Sequence, residues 1–284
     1  MRALKEDASD GAVAAFERAA EALGRARQGL RAALPGRREA VDAALAAVVA
    51  GGGALVKGPR ASGRALVRGL GSALGLDCAV VELTRPAAFE HLSDPRAARA
   101  AARHLKRPAL AHPLVLLENF WNAAPALRAG VTAFEGEPPF HLFVAEDARL
   151  ELGQAEPFLA RVDAAGEAVA AVPRAMTAEA LVEAQGIAAR LPVGEQVLAA
   201  ALDLVRRARP SDPGAPEALR AAALGGPTPL AARALIRLAR ARALVEGRAA
   251  VSLEDARSMA RPALAHRMAW RDGADVEAAF AALV

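Results

Sequence analysis

The chain has 284 residues, of which 54% are hydrophobic and 24% charged, and its formal net charge is +4. A chain of this length has room for about two domains, each with its own hydrophobic core. Its apolar runs are rich in alanine and glycine and are interrupted by charges, so none offers the ~20 continuous apolar residues of a membrane-spanning helix. The first residues, MRALKEDASDG, are too acidic for a signal peptide, and we expect a cytoplasmic protein with no membrane partner.

The arginines are scattered among alanines, and aromatic residues make up 4% of the chain, with no tyrosine. Nucleic-acid-binding proteins concentrate positive charge on one face, and single-strand binders add aromatic side chains on which bases stack. The composition therefore argues against a nucleic-acid partner.

The residue types that hold metals are sparse. The single cysteine, Cys78, lies in the apolar run CAVVEL, which predicts a buried small hydrophobic side chain there. The histidines are far apart in the sequence and have no cysteine at ligand spacing, so we expect no metal site and structural or surface roles for them.

Short apolar runs between residues 53 and 173 predict β-strands separated by helices. The predicted strands are 54–57, 78–83, 114–117, 140–145 and 168–172. Strands that alternate with helices indicate a parallel sheet that is covered on both faces, and therefore an α/β fold. Two helices, over 11–33 and from Pro35–Gly36 to about residue 50, precede the first strand.

After Pro173 the strand pattern ends, and the rest of the chain is predicted to be helical. The predicted helices cover 177–190, 193–207, a short stretch around Leu219, a long helix from Pro229 to a stop at Gly247, and one opened by a capping box of Ser252 and Asp255. Leu230 is placed on the apolar face of the long helix. We predict two domains, residues 1–173 and residues 174–284.

The segment GALVKGPRASGRALVRGL, residues 53–70, has the outline of a phosphate-binding loop. Such a P-loop reads Gly, four residues, Gly, Lys, then Ser or Thr, between a strand and a helix. Its backbone N–H groups surround the phosphates, its lysine reaches the outer phosphates, and its hydroxyl holds magnesium. Gly58 and Gly63 have this spacing, but Arg64 takes the lysine position and Ala65 the hydroxyl position.

Two interpretations of this loop stay open. Pro59 and Ser62 lie within it, and Ser62 has no Gly-x-Ser-x-Gly surroundings that would make it a nucleophile. Arg64 keeps a positive charge, and a helix N-terminus favours anions, so ATP or ADP could bind. Because Ala65 cannot ligate a cation, magnesium-dependent affinity should fall. The alternative is that the loop is only the architectural remnant of a nucleotide site.

Two stretches of the chain resemble the MoxR family of AAA+ ATPases. The stretch GGGALVKGPRASGRALVRGLGSALGLD resembles the family's P-loop region, and PTPLAARALIRLARARALVEGRAAVSLEDARSMARPALAHRM (Pro227–Met268) resembles its helical lid. The second is more distinctive, because its long helix and the runs EGR, VSLEDAR and HR follow the family's order. In weaker form the likeness runs from about Leu34 to Trp270.

The resemblance implies an AAA+ type αβα nucleotide-binding core with a five-stranded parallel sheet, followed by an all-helical C-terminal lid. This agrees with the runs and the helical tail predicted from the sequence pattern. Family members usually form ring hexamers with ATP at subunit interfaces, and they act as chaperone-like remodellers, often beside a von Willebrand A domain protein. An oligomer, and an AAA+ homologue or a von Willebrand A domain protein as partner, are therefore implied.

The positions that would hydrolyse ATP in this family are altered in the chain. The family's Walker B strand ends in Asp then Glu, and the run PLVLLENFWNAAP has Glu118 and Asn119 at those positions. Glu118 is long enough to reach magnesium, but the Asn119 amide cannot accept a proton. The family's sensor asparagine corresponds to Asp147, or to Glu146 if the alignment shifts by one.

Two arginines of the family are also missing at their expected places. Pro157 stands at the arginine-finger position, and Leu230 at the lid's sensor arginine. Arg233 or Arg237, further along the same helix, could substitute by reaching inward; the alternative is that they belong to a solvated basic face together with Arg240.

Losing a general base typically costs ~10²–10⁴-fold in rate, and losing an arginine finger ~10³–10⁵-fold. We therefore expect no catalytic residue. The first hypothesis is a non-hydrolysing assembly or adaptor subunit. The second is a divergent ATPase and chaperone that is active in a hetero-oligomer, with missing groups supplied by a neighbour or by residues such as Arg161 and Arg233. Nucleic-acid binding ranks last.

Overall fold

The structure is a computed structural model that describes residues 2–57, 60–82, 111–118, 141–146 and 172–284. The chain divides into two compact units. One is Arg25–Val182, and the other combines Met1–Gly24 with Glu183–Val284. Within the described ranges, no helix is both long enough and apolar enough to cross a membrane.

The unit Arg25–Val182 contains a sheet and the helices around it. Helix α1 (Arg2–Ala33) belongs to this unit only from Arg25 onward. The elements that follow it are α2 (Arg38–Val49), β1 (Ala54–Lys57), α3 (Arg60–Leu74), β2 (Cys78–Glu82), β3 (Leu114–Glu118), β4 (His141–Glu146) and the start of α4 (Ala178–Arg190). The α/β character and the first four predicted strands are confirmed. The fifth, 168–172, falls outside the described residues except for Val172, which is not in a strand.

The four strands form one parallel sheet in the order β1-β4-β3-β2. Every residue of β3 is buried, which explains its continuous apolar sequence LVLLE up to the final glutamate. The register pairs Lys57 with Glu146 and Glu82 with Glu118. The carboxyl ends of all four strands therefore lie along one edge of the sheet, the side on which open α/β sheets bind ligands.

Helix α3 packs on β2, β3 and β4. Its buried face carries Leu66, Val67 and Leu70. A Cβ at Gly71 would come within 3.0 Å of the Leu76 carbonyl oxygen, so glycine lets the helix approach the chain that leads into β2. Gly75 ends the helix with φ +65°, a left-handed conformation that favours glycine. These contacts fix α3 against the sheet.

The second unit is mainly helical. It contains the rest of α4, then α5 (Glu195–Arg207), α6 (Glu217–Ala222), β5 (Ala223–Gly225), α7 (Ala231–Val245), α8 (Leu253–Leu264), a 3₁₀ turn (Ala265–Arg267), β6 (Ala269–Trp270) and α9 (Val276–Leu283). Helices α5, α7 and α8 pack on one another, and α6 packs on α9. The predicted capping box is present: the Ser252 hydroxyl accepts from the Asp255 backbone N–H, and the Asp255 carboxylate accepts from that of Ser252.

Two details of the predicted helical part are wrong. The segment is not all-helical, because β5 and β6 form a small antiparallel sheet. These strands are only three and two residues long, too short to leave an alternating pattern in the sequence. Leu230 does not belong to the buried face of the long helix: it precedes the first turn of α7 and its side chain is 69% exposed.

Candidate functional site

The carboxyl edge of the sheet brings together two of the positions singled out from the sequence. Arg64 lies on α3, four residues after the helix begins at Arg60, and Glu118 is the last residue of β3. They are 54 residues apart in the chain, and they meet because α3 packs on β3. The fold thus places the residue predicted to stand at the P-loop lysine position beside the residue predicted to stand at the Walker B aspartate position.

Arg64 and Glu118 form a bidentate ion pair. Arg64 Nε donates to Glu118 Oε1 at 2.7 Å, and Nη2 donates to Oε2 at 2.5 Å. The Glu118 side chain is 0% exposed, whereas that of Arg64 is 39% exposed. Two parallel charge-assisted hydrogen bonds are the geometry that the planar guanidinium makes best with a carboxylate. A buried carboxylate needs such a partner, because an isolated charge is costly to remove from water.

A third charged residue, Glu82, stands at the outer side of this pair. It ends β2, and its carboxylate lies 3.6 Å from Arg64 Nη2. The pKa of Arg64 is raised, chiefly by the hydrogen bond to Glu118, while burial acts against this and the charges of Glu118 and Glu82 add to it. The positive charge of Arg64 is therefore balanced by the carboxylates of Glu118 and Glu82. The sequence analysis did not single out Glu82; the available signal was a charged residue near the carboxyl end of the predicted strand 78–83.

These residues do not fit a magnesium-bound nucleotide. Ala65 is buried and presents a methyl group where the P-loop pattern has a hydroxyl. The two carboxylate oxygens of Glu118 accept from Arg64, so they are directed at its guanidinium group and not at a metal ion. Among the residues that the structure describes, no group of three or more His, Cys, Asp or Glu side chains could hold a metal ion.

Several predicted positions lie outside the described residues. These are Gly58, Pro59, Asn119, Asp147, Pro157 and Arg161. Ser62 and Gly63 lie within α3, and Glu146 ends β4. The lid positions Arg233 and Arg237, like Leu230, are exposed on the other unit.

Cys78 and His141, both in the sheet unit, have environments typical of structural groups. Cys78 is half-buried at the start of β2, and burial raises the pKa of its thiol to about 11, so it is protonated at neutral pH. His141 begins β4 with 1% of its surface exposed, and its Nδ1 donates to the Gly52 carbonyl oxygen at 2.8 Å. Burial lowers the pKa of His141. Both lie at the amino ends of strands, the edge opposite Arg64.

Comparison with known proteins bears on the fold. The family model described as an AAA lid domain matches residues 218–282. A solved structure of a “putative ATPase” from Cytophaga hutchinsonii ATCC 33406 is similar over 99% of this chain and 97% of that chain, with 15% sequence identity and a TM-score of 0.75. A search of curated proteins found no match.

At 15% identity the similarity to the solved structure shows the fold alone. The lid match covers the segment that contains α7, α8 and the small β5–β6 sheet, and starts within α6. Together the two findings support an AAA+ type αβα fold that is followed by a helical lid.

Proposed function

We propose that this protein is a MoxR-like AAA+ protein that does not hydrolyse ATP and serves as an assembly or adaptor subunit in the cytoplasm. Its partners would be an AAA+ homologue or a von Willebrand A domain protein, joined in an oligomer. In this proposal residues 1–173 form the degenerate nucleotide-binding core, with N-terminal helices, and residues 174–284 the lid. The AAA+ type fold and the lid match support the proposal.

The observation that carries the proposal is the Arg64–Glu118 ion pair. Hydrolysis of ATP needs a free cation on the outer phosphates, a carboxylate or hydroxyl on magnesium, and a group that orients the attacking water. Here the cation and the carboxylate satisfy each other, and Ala65 supplies no hydroxyl. While the pair is formed, the fork of Arg64 made by Nε and Nη2 is not available to phosphate, and the Glu118 oxygen lone pairs that accept from it are not available to magnesium.

The sequence also lacks the third requirement for hydrolysis, a group that orients the attacking water. Asn119 follows Glu118 directly, at the position of the general base, and an amide does not take a proton from water. Pro157 offers no charge to a neighbouring subunit. ATP or ADP could then be held only through the backbone of the segment from Gly58 to Ala65, with no need for magnesium.

Phosphate release from ATP and magnesium by the purified protein tests the proposal. We expect no turnover above that of Arg64→Ala, with or without an added partner. A matched variant that combines Arg64→Lys, Ala65→Thr, Glu118→Asp and Asn119→Glu rebuilds the P-loop and Walker B residues, and it serves to show whether the fold still accepts the chemistry. Sustained turnover by the unmodified protein that is lost in Arg64→Ala would overturn the proposal in favour of a divergent ATPase.

A further inference from the structure

We propose that Glu118 acts as an internal counter-ion that competes with nucleotide phosphate for Arg64, so that the site binds nucleotide weakly until this ion pair is broken. The inference rests on the proposed function in one respect: it takes the sheet edge beside α3 as the place where a phosphate would lie. It adds a reason for weak binding that is separate from the loss of hydrolysis.

The competition follows from which atoms of Arg64 are used. A guanidinium binds a phosphate through two parallel N–H groups, the same fork that it offers to a carboxylate. In Arg64 the fork formed by Nε and Nη2 is directed at the two oxygens of Glu118. A phosphate could not use that fork without displacing the carboxylate.

Displacement is costly because of where Glu118 lies. Its side chain is fully buried at the end of β3, so it would be left as a buried charge without its arginine. Helix α3 is packed on β3, so the two side chains are held near each other by rigid elements. Arg64 itself is partly exposed and could be reached by an anion from solvent.

Glu82 offers a matched control. It lies on the neighbouring strand and carries the same charge as Glu118, but its 3.6 Å contact with Arg64 is a single ion pair at the surface. Neutralising Glu82 changes the net charge of the site by the same amount and leaves the bidentate pair intact. A general electrostatic effect would make the two variants alike, whereas competition for the fork would separate them.

The experiment is calorimetric titration of the full chain with ADP in the absence of magnesium, for the unmodified protein, Glu118→Gln and Glu82→Gln. Glutamine keeps the shape of Glu118 and can still accept a hydrogen bond from Arg64, but without the charge. We expect Glu118→Gln to bind ADP about tenfold to a hundredfold more tightly, the range that one charge-assisted hydrogen-bonded pair represents. Glu82→Gln should change the affinity less than about fivefold.

Equal affinities of Glu118→Gln and the unmodified protein would overturn the inference, and so would an equal gain in Glu82→Gln. Circular dichroism checks that each variant is folded; if Glu118→Gln is not, Glu118→Met removes the carboxylate with an apolar side chain of similar length and is titrated in its place. The result is separable from the test of the proposed function. Equal affinities would leave the absence of turnover standing, whereas turnover by the unmodified protein would contradict the proposed function alone.

Discussion

Among the residues that the structure describes, two buried carboxylates are paired with arginine, one in each unit, and they are built into the fold in different ways. Asp255, in the first turn of α8, accepts from Arg242 Nη1 at 2.6 Å and from Arg248 at 2.5 and 2.7 Å. It also closes the capping box by accepting from the Ser252 backbone N–H. Glu118, at the end of β3, is held by Arg64 through two hydrogen bonds.

The difference lies in what surrounds each pair. The partners of Asp255 are 3, 7 and 13 residues away in the chain, and they join α7, the following turn and α8 into one structural unit. Arg64 and Glu118 are 54 residues apart and meet at the carboxyl edge of a parallel sheet, where α/β folds place their ligands. The same chemistry thus serves as a helix cap in one unit, and in the other it lies at the sheet edge where α/β folds commonly bind ligands.

The largest effect is expected from removing the helix-cap carboxylate. Asp255→Ala leaves two arginines without their partner and removes the capping box, which should lower the free energy of unfolding by about 4 kcal/mol. Urea unfolding followed by circular dichroism measures the loss. Glu254→Gln is the control, because Glu254 is exposed and its 3.9 Å contact with Arg242 should contribute less than about 1 kcal/mol. Similar losses in the two variants would contradict the structural role of Asp255.

At the sheet edge we expect an asymmetry between the two partners. Arg64→Ala leaves the fully buried Glu118 uncompensated and should cost about 3 kcal/mol. Glu118→Ala leaves Arg64, which is partly exposed and can be hydrated, and should cost about 1–2 kcal/mol. Urea unfolding of both single variants gives the comparison. A larger loss in Glu118→Ala than in Arg64→Ala would show that the burial of the pair is not as described.

Mild acid should destabilise the sheet unit through His141. Burial lowers the pKa of His141 below its ordinary value of 6.5, so between these values the unfolded chain binds a proton that the folded chain does not. Stability therefore falls as the pH drops below about 6.5 and levels off below the lowered pKa. His141→Asn keeps an amide N–H for the Gly52 carbonyl oxygen and should remove this part of the decline. An unchanged pH profile in that variant would contradict the prediction.

Stronger acid should act on the lid through Asp255. Burial alone would raise the pKa of Asp255, but hydrogen bonds from Arg248, Ser252 and Arg242 outweigh it and hold the pKa below the ordinary value of 3.8. The stabilisation by Asp255 is therefore complete above that value and is lost as the pH falls through the lowered pKa. Unfolding of Asp255→Asn measured between about pH 2 and 5 should have a flatter acid limb than the unmodified protein. Parallel acid limbs in the two proteins would contradict this role of the carboxylate.

The features that the sequence predicted well are local or periodic. The capping box of Ser252 and Asp255, the stop at Gly247 with φ +72°, and the strand predicted over 114–117, which the structure extends to Glu118, each depend on neighbouring residues, which sequence patterns report directly. The β5–β6 pairing was not predicted, because strands of three and two residues are too short to show the alternating pattern of a β-strand.

The ion pair at the candidate site could not be predicted in the same way. The sequence indicates two separate altered positions: Arg64 as a retained positive charge, and Glu118 as a side chain long enough to reach magnesium. Their bidentate contact depends on how α3 packs against β3, a long-range property that neither local spacing nor composition encodes.

A double-mutant cycle measures whether Arg64 and Glu118 bind each other in solution. The free energies of unfolding of the unmodified protein, Arg64→Ala, Glu118→Ala and the double variant give the coupling between the two side chains. We expect a favourable coupling of about 1–3 kcal/mol, with the double variant less destabilised than the sum of the single ones. A coupling near zero would contradict the ion pair and, with it, the observation on which the proposed absence of ATP hydrolysis rests.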